Sequence, residues 1–224
     1  MQAGLLLLAL LAAPSASASG GPPRMPAVLT REAWEAAPSK EPFEPMLPLR
    51  ITIHHTAMAQ AMTYDDARAE MRLIQANQQG EWIDIGYHFV IDGAGRIWEG
   101  RPHTVIGSHV EVNNQGNLGI VLMGHFDAGG GDRPTPAQLK SLLELTTHLV
   151  AAYGIPADAQ HLNGHRDQRD GTLCPGARLY GSLEALRRQV AQDVANVPRP
   201  QGGSNMLQKA GERILRMLTP AGRP

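Results

Sequence analysis

The chain has 224 residues, 42% of them hydrophobic, and a single cysteine, Cys174. That length allows one domain with extensions or two small ones and supports a real core, which excludes a peptide hormone or a fully disordered chain. Twenty Lys and Arg against 21 Asp and Glu leave a net charge of -1, so no global positive field exists to hold nucleic acid or anionic lipid, and one cysteine cannot build a disulfide scaffold.

The first 23 residues carry no charged side chain, and Leu5 to Ala13 form a run of Leu and Ala too short to span a bilayer. The run reads as a signal-peptide core. Ala16 and Ala18 offer an Ala-x-Ala site, so residues 1–18 are expected to be removed, leaving no transmembrane anchor in the mature protein. Export to a periplasmic or extracellular, oxidising compartment makes a free thiol a hazard, and ligation to a metal would protect Cys174.

Residues 19–26 open a stretch rich in proline and polar residues, with a short helical turn predicted around Arg31 to Ala36. Arg50 to Thr56 is β-branched and follows Pro48, a strand signal. Thr63, with Asp66 three positions on, starts a predicted amphipathic helix running to Gln79. Ile85 to Ile91 and Arg96 to Trp98 flank Asp92-Gly-Ala-Gly95, which predicts a hairpin. Leu118 to Met123 is wholly apolar, as expected of a strand buried on both faces. Thr135, Pro136 and Gln138 spell a helix start, Leu139 to Tyr153 keep its buried face, and Gly154 ends it. His161 to His165 predicts a short edge strand or loop, and Leu179 to Val194 a last helix. Strands alternating with helices imply an α/β domain with a central mixed sheet flanked by helices.

After Asn196 the composition changes to a Pro- and Gly-containing linker. Beyond it Met206, Leu207, Ala210, Ile214, Leu215 and Leu218 trace an apolar stripe, readable as a short C-terminal amphipathic helix that docks on its own domain or meets a partner or membrane surface.

Nine histidines leave room for a metal site. His54 and His55 are adjacent in a strand, where successive side chains point to opposite faces, so only one of them can aim at a common centre. His165 and Cys174 flank a polar, glycine-containing loop able to fold both toward one point. Imidazole with thiolate suits zinc, and three protein ligands with an open fourth position is the catalytic arrangement.

Leu29-Thr-Arg-Glu-Ala-Trp34, Ile53-His-His-Thr-Ala57, Asp84 to Arg101, Gly107-Ser-His109, and Gly164-His-Arg-Asp167 with Thr172-Leu-Cys-Pro-Gly176 together resemble the peptidoglycan recognition protein and phage-lysozyme-type amidase family. The motifs keep the family's order over about residues 27 to 192, and five in register are highly specific where each alone is weak. The resemblance implies an N-acetylmuramoyl-L-alanine amidase domain over 27–195, followed by the linker and helix of 196–224. It implies hydrolysis of the amide between the lactyl group of N-acetylmuramic acid and L-alanine of a peptidoglycan or muropeptide stem, using one zinc ion (Zn2+).

Position by position, the resemblance implies His54, His165 and Cys174 as zinc ligands, with His55 facing the other side of the sheet. Asp167 competes as third ligand, since a related branch uses a carboxylate, though that carboxylate occupies the place of Cys174. Tyr87 matches the catalytic tyrosine, and Thr172 a site that holds threonine or lysine. Arg101, His109 and Asn114 fall at positions near the cleft and are expected to contact substrate. His103 departs from the family, standing where many relatives have tryptophan. A monomer is expected. Two other classes compete with the amidase: a receptor that binds peptidoglycan without cutting, and a zinc peptidase.

Overall fold

The computed structural model describes residues 23–129 and 131–196. The expected leader at 1–18 and the C-terminal apolar stripe lie outside these residues. Among the described residues no helix is long and apolar enough to cross a membrane.

Six strands form one sheet: β1 (Val28–Leu29), β2 (Arg50–His55), β3 (Phe89–Ile91), β4 (Ile97–Glu99), β5 (Asn117–Leu122) and β6 (Leu162–Gly164). Their spatial order is β1-β4-β3-β5-β2-β6. Only the β3–β4 hairpin is antiparallel; every other neighbouring pair is parallel. The expected mixed sheet is therefore observed. The central strand β5 is buried along its whole length, as its apolar run requires once parallel neighbours occupy both of its edges.

Four helices cover the sheet: α1 (Tyr64–Gln78), α2 (Pro136–Tyr153), α3 (Ala177–Tyr180) and α4 (Leu183–Ala195). The helix starts follow the sequence signals. Thr63 accepts the Asp66 N–H, and Thr135 with Gln138 makes a complete capping box. Gly154 ends α2 in the left-handed region at φ 68°. Side chains alternate across β2. Ile51 and Ile53 join Ile120, Leu122, Leu145, Leu149 and Val190 in a core beneath α2 and α4. On the opposite face Val90, Trp98 and Val121 pack with Trp34, Met71 and Ile74 beneath α1. That second core reaches β4, β3 and β5, so the same face of β2 and β6 is left to Thr52, His54 and Asn163, all buried and polar.

Two sequence expectations are corrected. The strand expected over Ile85 to Ile91 is confined to Phe89–Ile91, because the preceding backbone groups are taken by other partners. The Gly86 N–H goes to the Gln78 side chain at 2.7 Å, and the Ile85 carbonyl accepts Arg101 Nε at 2.6 Å. The single helix expected over Leu179 to Val194 is broken into α3 and α4. The Ser182 hydroxyl turns back to donate to the Leu179 carbonyl at 2.7 Å, satisfying the end of α3 instead of capping α4.

Candidate metal centre

His54, His165 and Cys174 offer ligand atoms that all lie within 4.8 Å of one another, the one group of three potential metal ligands found among the described residues. Strand register brings the histidines level. Gly164, the last residue of β6, pairs with Ile53 of β2, so His165, which follows it directly, arrives beside His54, with ring centroids 4.6 Å apart. The loop between His165 and Cys174 is closed by the Arg166 N–H, which donates to the Cys174 carbonyl at 3.0 Å.

The donor set fits zinc. A tetrahedral zinc with bonds of about 2.3 Å to sulfur and about 2.1 Å to nitrogen separates those two atoms by about 3.6 Å, and Cys174 Sγ lies 3.6 Å from His54 Nδ1. His165 Nε2 is buried without a hydrogen-bond partner among the described residues, which is how an imidazole nitrogen reserved for another partner looks. Burial, reinforced by the neighbouring imidazoles, holds His54 well below the usual histidine range, and burial together with Arg169 lowers His165. Both rings are thus neutral near pH 7, the state that binds a metal. Burial pushes the Cys174 thiol up to about 12, although the His55 N–H donates to Sγ at 3.4 Å. A cation is therefore needed to keep the sulfur as thiolate.

The alternation argument for His54 and His55 holds: the His55 ring accepts the Phe126 N–H from the opposite face of the sheet. Asp167 is not in the cluster. Its carboxylate accepts the Gly164 N–H at 2.8 Å and the Tyr180 hydroxyl at 2.6 Å, so it braces the loop. The Tyr87 ring lies 5.2 Å from that of His54, and burial, with Cys174 nearby, pushes its phenol up, so it stays an O–H donor. Thr172 accepts the Cys174 N–H at 3.2 Å.

The three residues expected to contact substrate all make hydrogen bonds within the fold. Arg101 is only 2% exposed, and its guanidinium donates to the carbonyls of Asp84, Ile85 and Ile106 and to Ser108 Oγ. With its donors committed inside the fold, it holds loops together. The Asn114 carbonyl oxygen accepts the N–H groups of His109 and Val110, fixing its own turn. His109 is 6% exposed, with one ring nitrogen 3.0 Å from His54 Nε2 and the other 3.0 Å from the Asn117 carbonyl. His103 stacks on Phe89 at 5.8 Å and meets Tyr153 at 6.0 Å; Phe89 belongs to the core beneath α2, so this departure lies away from the sheet face that carries His54. His148 is partly buried on α2 and hydrogen-bonds the Pro23 carbonyl at 2.7 Å.

Sequence reasoning passed over the floor of the site. The Thr52 hydroxyl donates to Asn117 Oδ1 at 2.9 Å, and Gln168 Nε2 donates to Asn163 Oδ1 at 2.7 Å and to Thr52 Oγ1. This network ties the loop bearing His165 and Cys174 to three strands. Its one sequence signal was a polar residue two positions before His54, on the same face. Arg169 and Glu111 then join that loop to the turn after His109 at 2.7 Å.

Known proteins share this sequence and fold. Residues 44–177 match the family model described as N-acetylmuramoyl-L-alanine amidase. The chain is 37% identical over 166 residues to peptidoglycan-recognition protein LB of Drosophila melanogaster, covering 70% of this chain and 68% of that one. Among solved structures, the endolysin N-acetylmuramoyl-L-alanine amidase LysCS of Clostridium intestinale aligns with TM-score 0.60 and 30% identity over 73% of this chain and 96% of that one. Peptidoglycan recognition protein LE in complex with tracheal cytotoxin, a monomeric diaminopimelic acid-type peptidoglycan, aligns with TM-score 0.64 and 27% identity over 71% and 93%. The chain belongs to the N-acetylmuramoyl-L-alanine amidase and peptidoglycan-recognition protein family.

Proposed function

We propose that this protein is a zinc-dependent N-acetylmuramoyl-L-alanine amidase that releases stem peptides from peptidoglycan. The observation that carries the reading is the juxtaposition of a complete His54, His165 and Cys174 donor set with the Tyr87 ring. Binding of a monomeric peptidoglycan by the relative LE supports the same substrate class here.

His54, His165 and Cys174 would hold the ion. A bound zinc supplies Lewis-acid polarisation of the scissile carbonyl and acidifies the attacking water toward neutral pH. Tyr87, protonated across the neutral range, donates its O–H to the oxyanion developing on the lactyl carbonyl oxygen. Thr172 accepts the Cys174 N–H on its oxygen, which leaves its own hydrogen free to make a second donation into the site. Neither donor carries charge. The departing L-alanine nitrogen takes its proton from water. Export by the leader at 1–18 belongs to the same proposal, supported by the uncharged Leu and Ala run and the Ala16 and Ala18 pair.

Digestion of purified peptidoglycan tests the reading. Free stem peptides with an N-terminal L-alanine are expected, abolished by chelation, restored by zinc and absent with Cys174→Ser. Shortened stems would reveal a peptidase, and binding without release a receptor; either outcome overturns the proposal.

A further inference from the structure

The buried His109 is not itself a member of the cluster of His54, His165 and Cys174, yet it touches His54 directly. Its surroundings are shaped to the ring. A Cβ built on Gly107 or on Gly119 would lie 2.7 Å from His109 Cδ2, closer than real contacts allow, so two glycines on different segments open the slot the imidazole fills. Its backbone N–H is held by Asn114 Oδ1 at 2.8 Å. His88 closes the slot edge-on at 5.6 Å, itself pinned between the Gly119 N–H and the Val105 carbonyl, each at 2.9 Å.

The hydrogen-bond directions in this stack follow from one atom that can only accept. The Asn117 carbonyl lies 3.0 Å from His109 Nε2, so that nitrogen carries the hydrogen. In a neutral ring the other nitrogen is then an acceptor, and His109 Nδ1 faces His54 Nε2 at 3.0 Å. His54 must donate from Nε2, which leaves its lone pair on Nδ1, the atom 3.6 Å from Cys174 Sγ.

We propose that His109 is a positioning residue through which the main-chain carbonyl of Asn117 selects the tautomer of His54 and turns the Nδ1 lone pair toward the metal. The inference rests on the zinc reading above. Asn117 begins β5, paired in register with Arg50 of β2, and its side chain joins the polar floor under the site. The carbonyl that sets the tautomer is therefore fixed by the same sheet that carries His54. Outer partners of metal-bound histidines fix tautomer and ring orientation, and losing one costs about 10–100-fold in metal affinity.

The test reads metal binding and tautomer, not turnover. Two-bond proton–nitrogen NMR on the metal-free protein is expected to show both His54 and His109 as the Nε2–H tautomer; an Nδ1–H signal from either overturns the proposal. Chelator competition is expected to give His109→Leu a zinc affinity about 10–100-fold below the unsubstituted protein. His109→Asn, which keeps an acceptor near the Nδ1 position, is expected to recover most of that loss. Undiminished affinity in His109→Leu, or equal losses in both variants, would show that acceptor chemistry is not what His109 supplies. If the unsubstituted protein takes up no zinc, the function proposed above fails, while the tautomer measurement still decides the role of His109. That measurement also stands if a variant does not fold.

Discussion

Thr172 Oγ1 accepts the backbone N–H of Cys174 at 3.2 Å, so the residue two positions before the proposed ligand sulfur is tied to it through the main chain. In the proposed mechanism one hydroxyl both braces this loop and keeps its hydrogen for the cleft. Removing one oxyanion donor costs about 10²–10³-fold in kcat, and Thr172→Val is expected to fall in the lower part of that range. Thr172→Ser, which keeps both functions, should retain most of the activity. Steady-state kinetics on a soluble muropeptide checks this; an active valine variant would remove Thr172 from the mechanism.

Tyr87→Phe keeps the ring against His54 and deletes only the hydroxyl. The expected outcome is a fall of about 10²–10³-fold in kcat with one equivalent of zinc still bound, measured by metal analysis on the same preparation. Loss of zinc together with activity would make Tyr87 a structural wall and not an oxyanion donor.

Asp167 and Cys174 give opposite results if the ligand set is right. Asp167→Ala strips the Gly164 N–H and the Tyr180 hydroxyl of their acceptor, and is expected to lower stability by about 1–3 kcal/mol while zinc stoichiometry stays at one. Cys174→Ser should lose high-affinity zinc with a smaller change in the melting temperature of the metal-free protein. Zinc analysis beside calorimetry distinguishes them; loss of zinc from the alanine variant would restore Asp167 as a ligand.

Glu70 supplies a pH dependence unrelated to catalysis. It is buried on α1, its Oε1 has no partner among the described residues, and burial pushes its carboxyl up to about 7. The folded value lies above the ordinary glutamate value of 4.5, so the folded state holds the proton more tightly than the unfolded state. Its contribution is fully present below the unfolded value and is lost as pH rises through about 7, a difference of at most about 3 kcal/mol. Glu70→Gln is therefore expected to flatten the fall of melting temperature between pH 5 and pH 8. Parallel curves for the two proteins would mean that the carboxyl is not strained by burial.

Local periodicity and short spacing made a definite part of this protein legible. Alternation along β2 separated His54 from His55, Thr135 with Gln138 marked the start of α2, and the apolar run of β5 announced a strand with neighbours on both sides. These follow from repeats of two and 3.6 residues acting within a few positions of each other. His54, His165 and Cys174, which the five family motifs single out as a group, do lie together in the structure.

Tertiary structure decided what the remaining polar residues do. Arg101, His109 and Asn114 sit on loops near the cleft, yet their hydrogen bonds are spent inside the fold. Which carbonyl a loop side chain meets depends on where distant segments pass, and loops carry no period from which that can be read. Burial works the same way: the thiol pushed up to about 12, the carboxyl pushed up to about 7 and the neutral imidazoles arise from desolvation by segments far apart in the chain. Sequence determined which donors this protein owns and which face of β2 presents His54. The packed sheet and its loops determined which of those donors remain free to bind a metal, because a hydrogen bond made inside the fold is one the ligand or substrate cannot use.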